Sequence, residues 1–117
     1  QRIRLPLGNV DLWRDFGTLQ DLLTGMLCVA RQAETVLGFQ AVNFCSGTDR
    51  HLRSLVHLLA ERLGKEIEIE TDPRKLRGCE PKRIVGSMEG FHRLFGWSPK
   101  GKSDGEFIDA FLEELEA

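Results

Sequence analysis

Residues 66–70, EIEIE, place Ile67 and Ile69 on one face and three glutamates on the other, the period of two that a half-exposed strand requires. Directly before them a helix-period stripe, Leu52, Leu55, Val56, Leu59 and Leu63, runs to Gly64. A chain that switches from a period of 3.6 to one of 2.0 within a few residues has to pack helices against strands. The same switch recurs along the sequence, so the pattern itself selects the fold class.

Ile3, Leu5 and Leu7 form a first extended segment that ends at the turn signal Gly8-Asn9. Leu19, Leu22, Leu23, Met26, Leu27, Ala30 and Ala33 then recur at helical spacing and predict a helix with a buried stripe. Thr18 is its N-cap, with Asp21 three positions later to answer a free amide and the helix dipole. After Gly38, residues 39–45 (FQAVNFC) read as a short buried strand and Ser46-Gly47-Thr48 as a turn. Residues 71–86 hold two prolines, two glycines and five basic residues and predict an irregular crossing. Ser87 can cap a short helix carrying Met88, Phe91, Leu94 and Phe95 and ended by Gly96; Trp97 with Pro99 reads as a packing corner. Ser103 and Glu106, at capping-box spacing, open a last helix that buries Phe107, Ile108, Phe111, Leu112 and Leu115.

The order strand, helix, strand, helix, strand, helix, helix predicts an α/β fold. It consists of a small three-stranded sheet, about four helices and at least one right-handed parallel crossover, in a single domain over residues 1–117. Three strands leave two edges and much of one face uncovered. The chain is therefore expected to associate with itself as a homodimer or with a partner chain.

Composition removes several function classes. The formal charge of −2 comes from 16 basic and 18 acidic side chains interspersed along 117 residues, which gives no single-sign field for nucleic acid or a membrane surface. The apolar runs fall far short of the roughly 20 residues that span a bilayer. Cys28, Cys45 and Cys79 are odd in number and lack ligand spacing, which points to a reducing cytoplasm. His51, His57 and His92 lack a cysteine or carboxylate companion at ligand spacing, so a metal site is not expected. Ser46 has no His and Asp companions for nucleophilic hydrolysis, and SGTD lacks the Gly and Lys spacing of a phosphate loop.

Two polar segments remain as candidates. Arg14 precedes the helix that Thr18 opens, where unpaired amides favour negative charge, so it could help hold a phosphate or could pair with Asp15 or Asp21 on the surface. Arg77 and Glu80 lie in the loop LRGCEP. A guanidinium forks onto phosphate oxygens, and a carboxylate accepts both hydrogens of a vicinal diol, so the two suit a nucleotide's phosphate and sugar. Arg74, Lys75, Lys82 and Arg83 surround them, and a mixed charge run of this kind is also ordinary solvated surface.

Taken together, GNVDLWRDFGTLQD, VNFCSG, DPRKLRGCE, RIVGS and FGWSP resemble, in order and spacing, the C-terminal portion of an extended short-chain dehydrogenase/reductase of the NAD-dependent epimerase/dehydratase family. The nearest resemblance is to the GDP-mannose 4,6-dehydratases and GDP-6-deoxy-mannose reductases. It implies that Arg14 contacts the diphosphate-sugar region, that Arg77 and Glu80 contact the nucleotide, Glu80 through the ribose, and that Asn43, Gly47, Trp97 and Pro99 are framework. Trp13 stands where the family has a basic residue, Val42 where it has Tyr, Gly78 where it has Pro and Gly90 where it has Lys. The family's Rossmann half, with its Gly-x-x-Gly-x-x-Gly loop for NAD(P) and its Tyr-x-x-x-Lys pair, has no counterpart in these residues. The resemblance thus implies no cofactor and no catalytic residue in this chain, and three possible roles. The chain would be a nucleotide-diphosphate-sugar-binding module, a dimeric interaction protein with a vestigial site, or half of a split enzyme completed by a Rossmann-domain partner.

Overall fold

The computed structural model describes residues 2–116. Strand β1 (Arg2–Leu7) and the short β2 (Trp13–Asp15) precede helix α1 (Leu19–Gln32); β3 (Asp49–His51) leads without a break into α2 (Leu52–Arg62). Strand β4 (Glu66–Thr71), α3 (Glu89–Phe95) and α4 (Asp104–Glu116) complete the chain, with single 3-10 turns at Ala33–Thr35 and Pro73–Lys75.

The α/β class and the four helices are as the periodicity predicts, but the sheet is divided. β1 pairs in parallel with β4 from Arg2↔Glu66 to Leu7↔Thr71, which is the expected parallel crossover. β2 pairs antiparallel with β3 through Trp13↔His51, Arg14↔Arg50 and Asp15↔Asp49. Two two-stranded sheets therefore replace the expected single three-stranded one. Residues 39–45 form no strand. Their apolar side chains are used for packing instead: the Phe44 ring stacks on Trp97 at 6.0 Å and meets Phe91 edge-on at 5.2 Å.

The EIEIE alternation holds. Ile67 and Ile69 are half-buried, the glutamates are exposed, and Arg2 and Arg4 of β1 lie 3.5–3.9 Å from Glu68 and Glu70. Asp72 closes the end of the ribbon, its amide donating to the Leu7 carbonyl at 2.7 Å. Three of the caps also act as read, whereas α3 has Met88 at its N-cap and no side-chain cap, the Ser87 hydroxyl accepting only from the Glu89 amide at 3.2 Å. Thr18 Oγ1 accepts from the Asp21 amide at 3.2 Å, although the Asp21 carboxylate goes to Lys102 Nζ at 2.9 Å. Ser103 and Glu106 bond reciprocally at 3.1 and 3.0 Å, and the left-handed Gly96 (φ 68°) ends α3. α2 lacks a side-chain cap; its Leu52 and Arg53 amides donate instead to the carbonyls of Leu12 and Val10.

One core lies between α2 and α4, where Leu55, Phe107 and Ile108 are buried beside Phe16, Leu58, Leu59 and Leu112. Arg50 is buried at its edge, donating to Asp104 Oδ1 (3.0 Å) and the Lys102 carbonyl (3.1 Å), with its guanidinium 4.7 Å from the Phe107 ring centre. It fastens the entrance of α4 to β3. A second cluster gathers Phe44, Phe91, Phe95 and Trp97, so Trp97 is the packing corner that its sequence neighbourhood suggests.

Against expectation, the apolar stripe of α1 is not buried. Leu19, Leu22, Leu23, Met26 and Leu27 are 41–59% exposed, and Gly25 is the buried residue of the helix. Periodicity reports that a face is apolar, not that a partner in the same chain covers it. The overall shape agrees: the Cα radius of gyration is 17.3 Å, against about 13 Å for a compact domain of this size, and the thinnest extent is 19 Å.

Gly25 allows α1 to approach the second cluster, since a Cβ there would sit 2.2 Å from the Phe44 ring, which Trp97 and Phe91 hold in place. Gly25→Ala should lower stability by about 1–2 kcal/mol despite its better helix propensity. Urea unfolding followed by far-UV circular dichroism measures this.

Candidate functional site

The short strand β2 carries two charged residues in succession, and strand geometry sends successive side chains to opposite faces. Asp15 turns toward the segments packed beside it. Its Oδ1 accepts from the Ser46 amide (2.8 Å) and hydroxyl (2.6 Å), and its Oδ2 from the amides of Gly47 (2.9 Å) and Gly86 (3.1 Å). Gly47 reaches this geometry at φ 78°, and Gly86 has no room for a side chain, because a Cβ would lie 2.5 Å from Cys45 Sγ. Partial burial raises the Asp15 pKa, but the Ser46 hydroxyl and the three amides outweigh it and hold the carboxyl below its ordinary value. Burial and then the Asp15 charge push the Cys45 thiol up.

Arg14 is the residue left for the other face. One guanidinium nitrogen donates to the Trp13 carbonyl at 2.8 Å; another lies 3.6 Å from Glu80 Oε1, and both side chains are a little over one-fifth exposed. The surface pairing of Arg14 with Asp15 or Asp21 that the local sequence allows is not formed, since both carboxylates are committed elsewhere. Glu80 reaches Arg14 because residues 82–84 run along the free edge of β2. The Trp13 amide donates to the Lys82 carbonyl at 2.8 Å, and the Ile84 amide to the Trp13 carbonyl at 3.0 Å. Arg77 is exposed on the same loop, and among the described residues no ion pair holds it. Of the three candidates, the fold thus brings Arg14 and Glu80 together and leaves Arg77 exposed.

Several neighbouring basic residues that resembled plain solvated surface have structural partners. Arg74 forks onto Asp72 at 3.1 Å through each of two nitrogens, and Lys75 Nζ donates to the Pro6 carbonyl at 2.7 Å. Arg83 pairs with Asp49 and covers the Trp13 ring at 4.2 Å, while His51 stacks on that ring at 5.0 Å. Trp13, in the place of a basic residue, is therefore part of the packing that supports β2. Asn43 is exposed, whereas Gly47 and Trp97 do have framework roles.

A concave pocket of about 360 Å³ lies on the Asp15 side, lined by Thr18, Asp21, Leu22, Phe44, Cys45 and Ser46 among others. Its charged lining residues, Asp15 and Asp21, are acidic, and it does not include Arg14. Among the described residues no group of three or more His, Cys, Asp or Glu could hold a metal ion, and no helix is long and apolar enough to cross a membrane. The chain has no tyrosine, and β3 passes into α2 through His51-Leu52 with no intervening glycine.

No protein-family model matches the chain. It is 36% identical over 100 residues to GDP-6-deoxy-D-mannose reductase of Pseudomonas aeruginosa, an alignment covering 86% of this chain and 32% of that protein. Among solved structures, RMD from Pseudomonas aeruginosa complexed with NADPH superposes with a TM-score of 0.75 and 31% identity, over 98% of this chain and 36% of that one. UDP-glucose 4-epimerase with UDP-glucose from Thermotoga maritima shares the fold (TM-score 0.69, 19% identity, 98% of this chain and 36% of that one). The chain spans about a third of the length of these relatives.

The Asp15 cluster sets an acid limit on stability. Because its carboxyl titrates lower in the folded than in the unfolded chain, the contribution is complete above the unfolded value near 3.8 and is lost as pH falls through the folded value. Asp15→Ala, which leaves the Ser46, Gly47 and Gly86 donors without their acceptor, should cost about 2 kcal/mol at pH 7. Thermal melts from pH 3 to 7 should show a smaller loss on acidification for the variant than for the wild type.

Proposed function

Starting from a chain that corresponds to the C-terminal portion of an NAD-dependent epimerase/dehydratase, we propose that it is the substrate-holding part of a nucleotide-sugar enzyme, with a GDP-sugar-like ligand. The observation that carries this reading is the meeting of Arg14 with Glu80, which come from distant parts of the sequence. Arg14 takes the diphosphate, Arg77 takes the phosphate of the nucleotide, and Glu80 accepts the hydroxyls of its ribose. A GDP ligand is suggested by the name of the Pseudomonas reductase. These residues bind and orient; none is placed to move a hydride or a proton, so the chain by itself is non-catalytic. When present, NAD(P) supplies the hydride chemistry from a separate body.

The exposed stripe of α1 supports such completion. Leu19, Leu22, Leu23, Met26 and Leu27 form one apolar face on a thin molecule, and the relatives carry about twice as much additional chain. A cofactor-holding body seated on α1 accounts for both. Bare faces of this kind also adhere to one another.

Isothermal titration with GDP-mannose should give binding for the wild type and at least a tenfold loss for Arg14→Ala; no heat from the wild type at millimolar ligand would sink the proposal. For the α1 face, light scattering of the isolated wild-type chain at micromolar concentration should give a mass above the monomer, and Leu23→Lys with Met26→Lys should restore the monomer. A strictly monomeric wild type would count against an adhesive face.

A further inference from the structure

The Arg14–Glu80 contact is loose in a way that matters to any ligand. At 3.6 Å it lies beyond hydrogen-bond length, it is partly exposed, and Arg14 spends its one short bond on the Trp13 carbonyl. Arg2 and Arg4 are as loosely paired with Glu68 and Glu70, at 3.5–3.9 Å, but other arginines are held closely. Arg53 and Arg62 hold their carboxylates at 2.8–3.0 Å, and Arg74 holds Asp72 at 3.1 Å. Glu80 also lies on the freest part of its loop. The 3-10 turn at Pro73–Lys75 ends with the Leu76 amide bonded to Pro73, and the next fixed point is Lys82 on β2. Among the described residues, no backbone hydrogen bond holds 77–81.

We propose, resting on the nucleotide-binding reading above, that Glu80 determines specificity for nucleoside diphosphates over bare phosphates by competing with them for Arg14. Its carboxylate lies 3.6 Å from one guanidinium nitrogen that a diphosphate would use. A diphosphate can fork onto Arg14 with short charge-assisted bonds and displaces it. What happens to the displaced carboxylate decides the selectivity. A ligand with a ribose offers a vicinal diol, so Glu80 exchanges one partner for another. Inorganic pyrophosphate offers none, and leaves Glu80 as an unpaired negative charge beside a polyanion. The same side chain thus opposes every anion at Arg14 and compensates only those that carry a sugar.

Titration calorimetry of GDP and of inorganic pyrophosphate into the wild type, Glu80→Gln and Arg14→Ala tests this. Glu80→Gln should bind pyrophosphate at least threefold more tightly than the wild type while binding GDP more weakly, so that the preference for GDP narrows about tenfold. Glu80→Ala should follow the same pattern, and thermal midpoints matched to the wild type establish that each variant is folded. Pyrophosphate affinity unchanged or weakened in both Glu80 variants overturns the competition. If Arg14→Ala still abolishes GDP binding in that case, the nucleotide site itself stands. Absence of binding of either ligand to every variant removes both proposals.

Discussion

The carboxylate of Asp15 is the constraint on which the rest of the molecule depends. β2 is three residues long and pairs with an equally short β3, and a two-stranded pairing of that size has little stability of its own. Four donors from two distant segments converge on this one side chain, tying β2 to the turn at Ser46-Gly47 and to the chain near Gly86. The bonds are charge-assisted and satisfy amides that the turns would otherwise leave unpaired. Fixing Asp15 inward also fixes Arg14 outward, because the strand alternates. The candidate ligand residue is thus aimed by its neighbour's packing.

What was legible in the sequence divides along the reach of each interaction. Caps and helix stripes are local, so Thr18, Ser103 with Glu106, and Gly96 fulfil the roles that their spacing assigns. The EIEIE strand is legible for the same reason. Residues 39–45 form no strand because bulky apolar residues suit a strand or a packed, unpaired stretch equally well, and Phe44 finds its partners in α3 and Trp97. The strands that the pattern does not reveal, β2 (WRD) and β3 (DRH), are charged and too short to show a period. Arg14 and Glu80 could be paired only through the resemblance, since their contact depends on residues 82–84 running along β2.

The same distinction explains α1. Its periodicity is sound, yet what covers its apolar face is a property of the assembly and not of the helix. The inward side is reduced to a glycine so that Phe44 can approach, while the larger side chains face away from this chain's own cores. Polar anchors at its entrance, Lys102 to Asp21 and Glu114 to the Gln20 amide, hold α1 to the α4 region without burying that face. The helix is thereby positioned as a preformed surface.

The parallel pairing of β1 with β4 has a consequence for how the molecule is made. Parallel neighbours cannot be joined by a tight turn, and here the partner of the first strand lies beyond β2, α1, β3 and α2. During synthesis, Ile3 and Leu5 cannot take up this pairing until Glu66–Thr71 has followed. By then α1 and α2, whose contacts are local, can already be helical. The ribbon therefore closes late, over segments already in place, and its long loop makes that closure a slow step of folding.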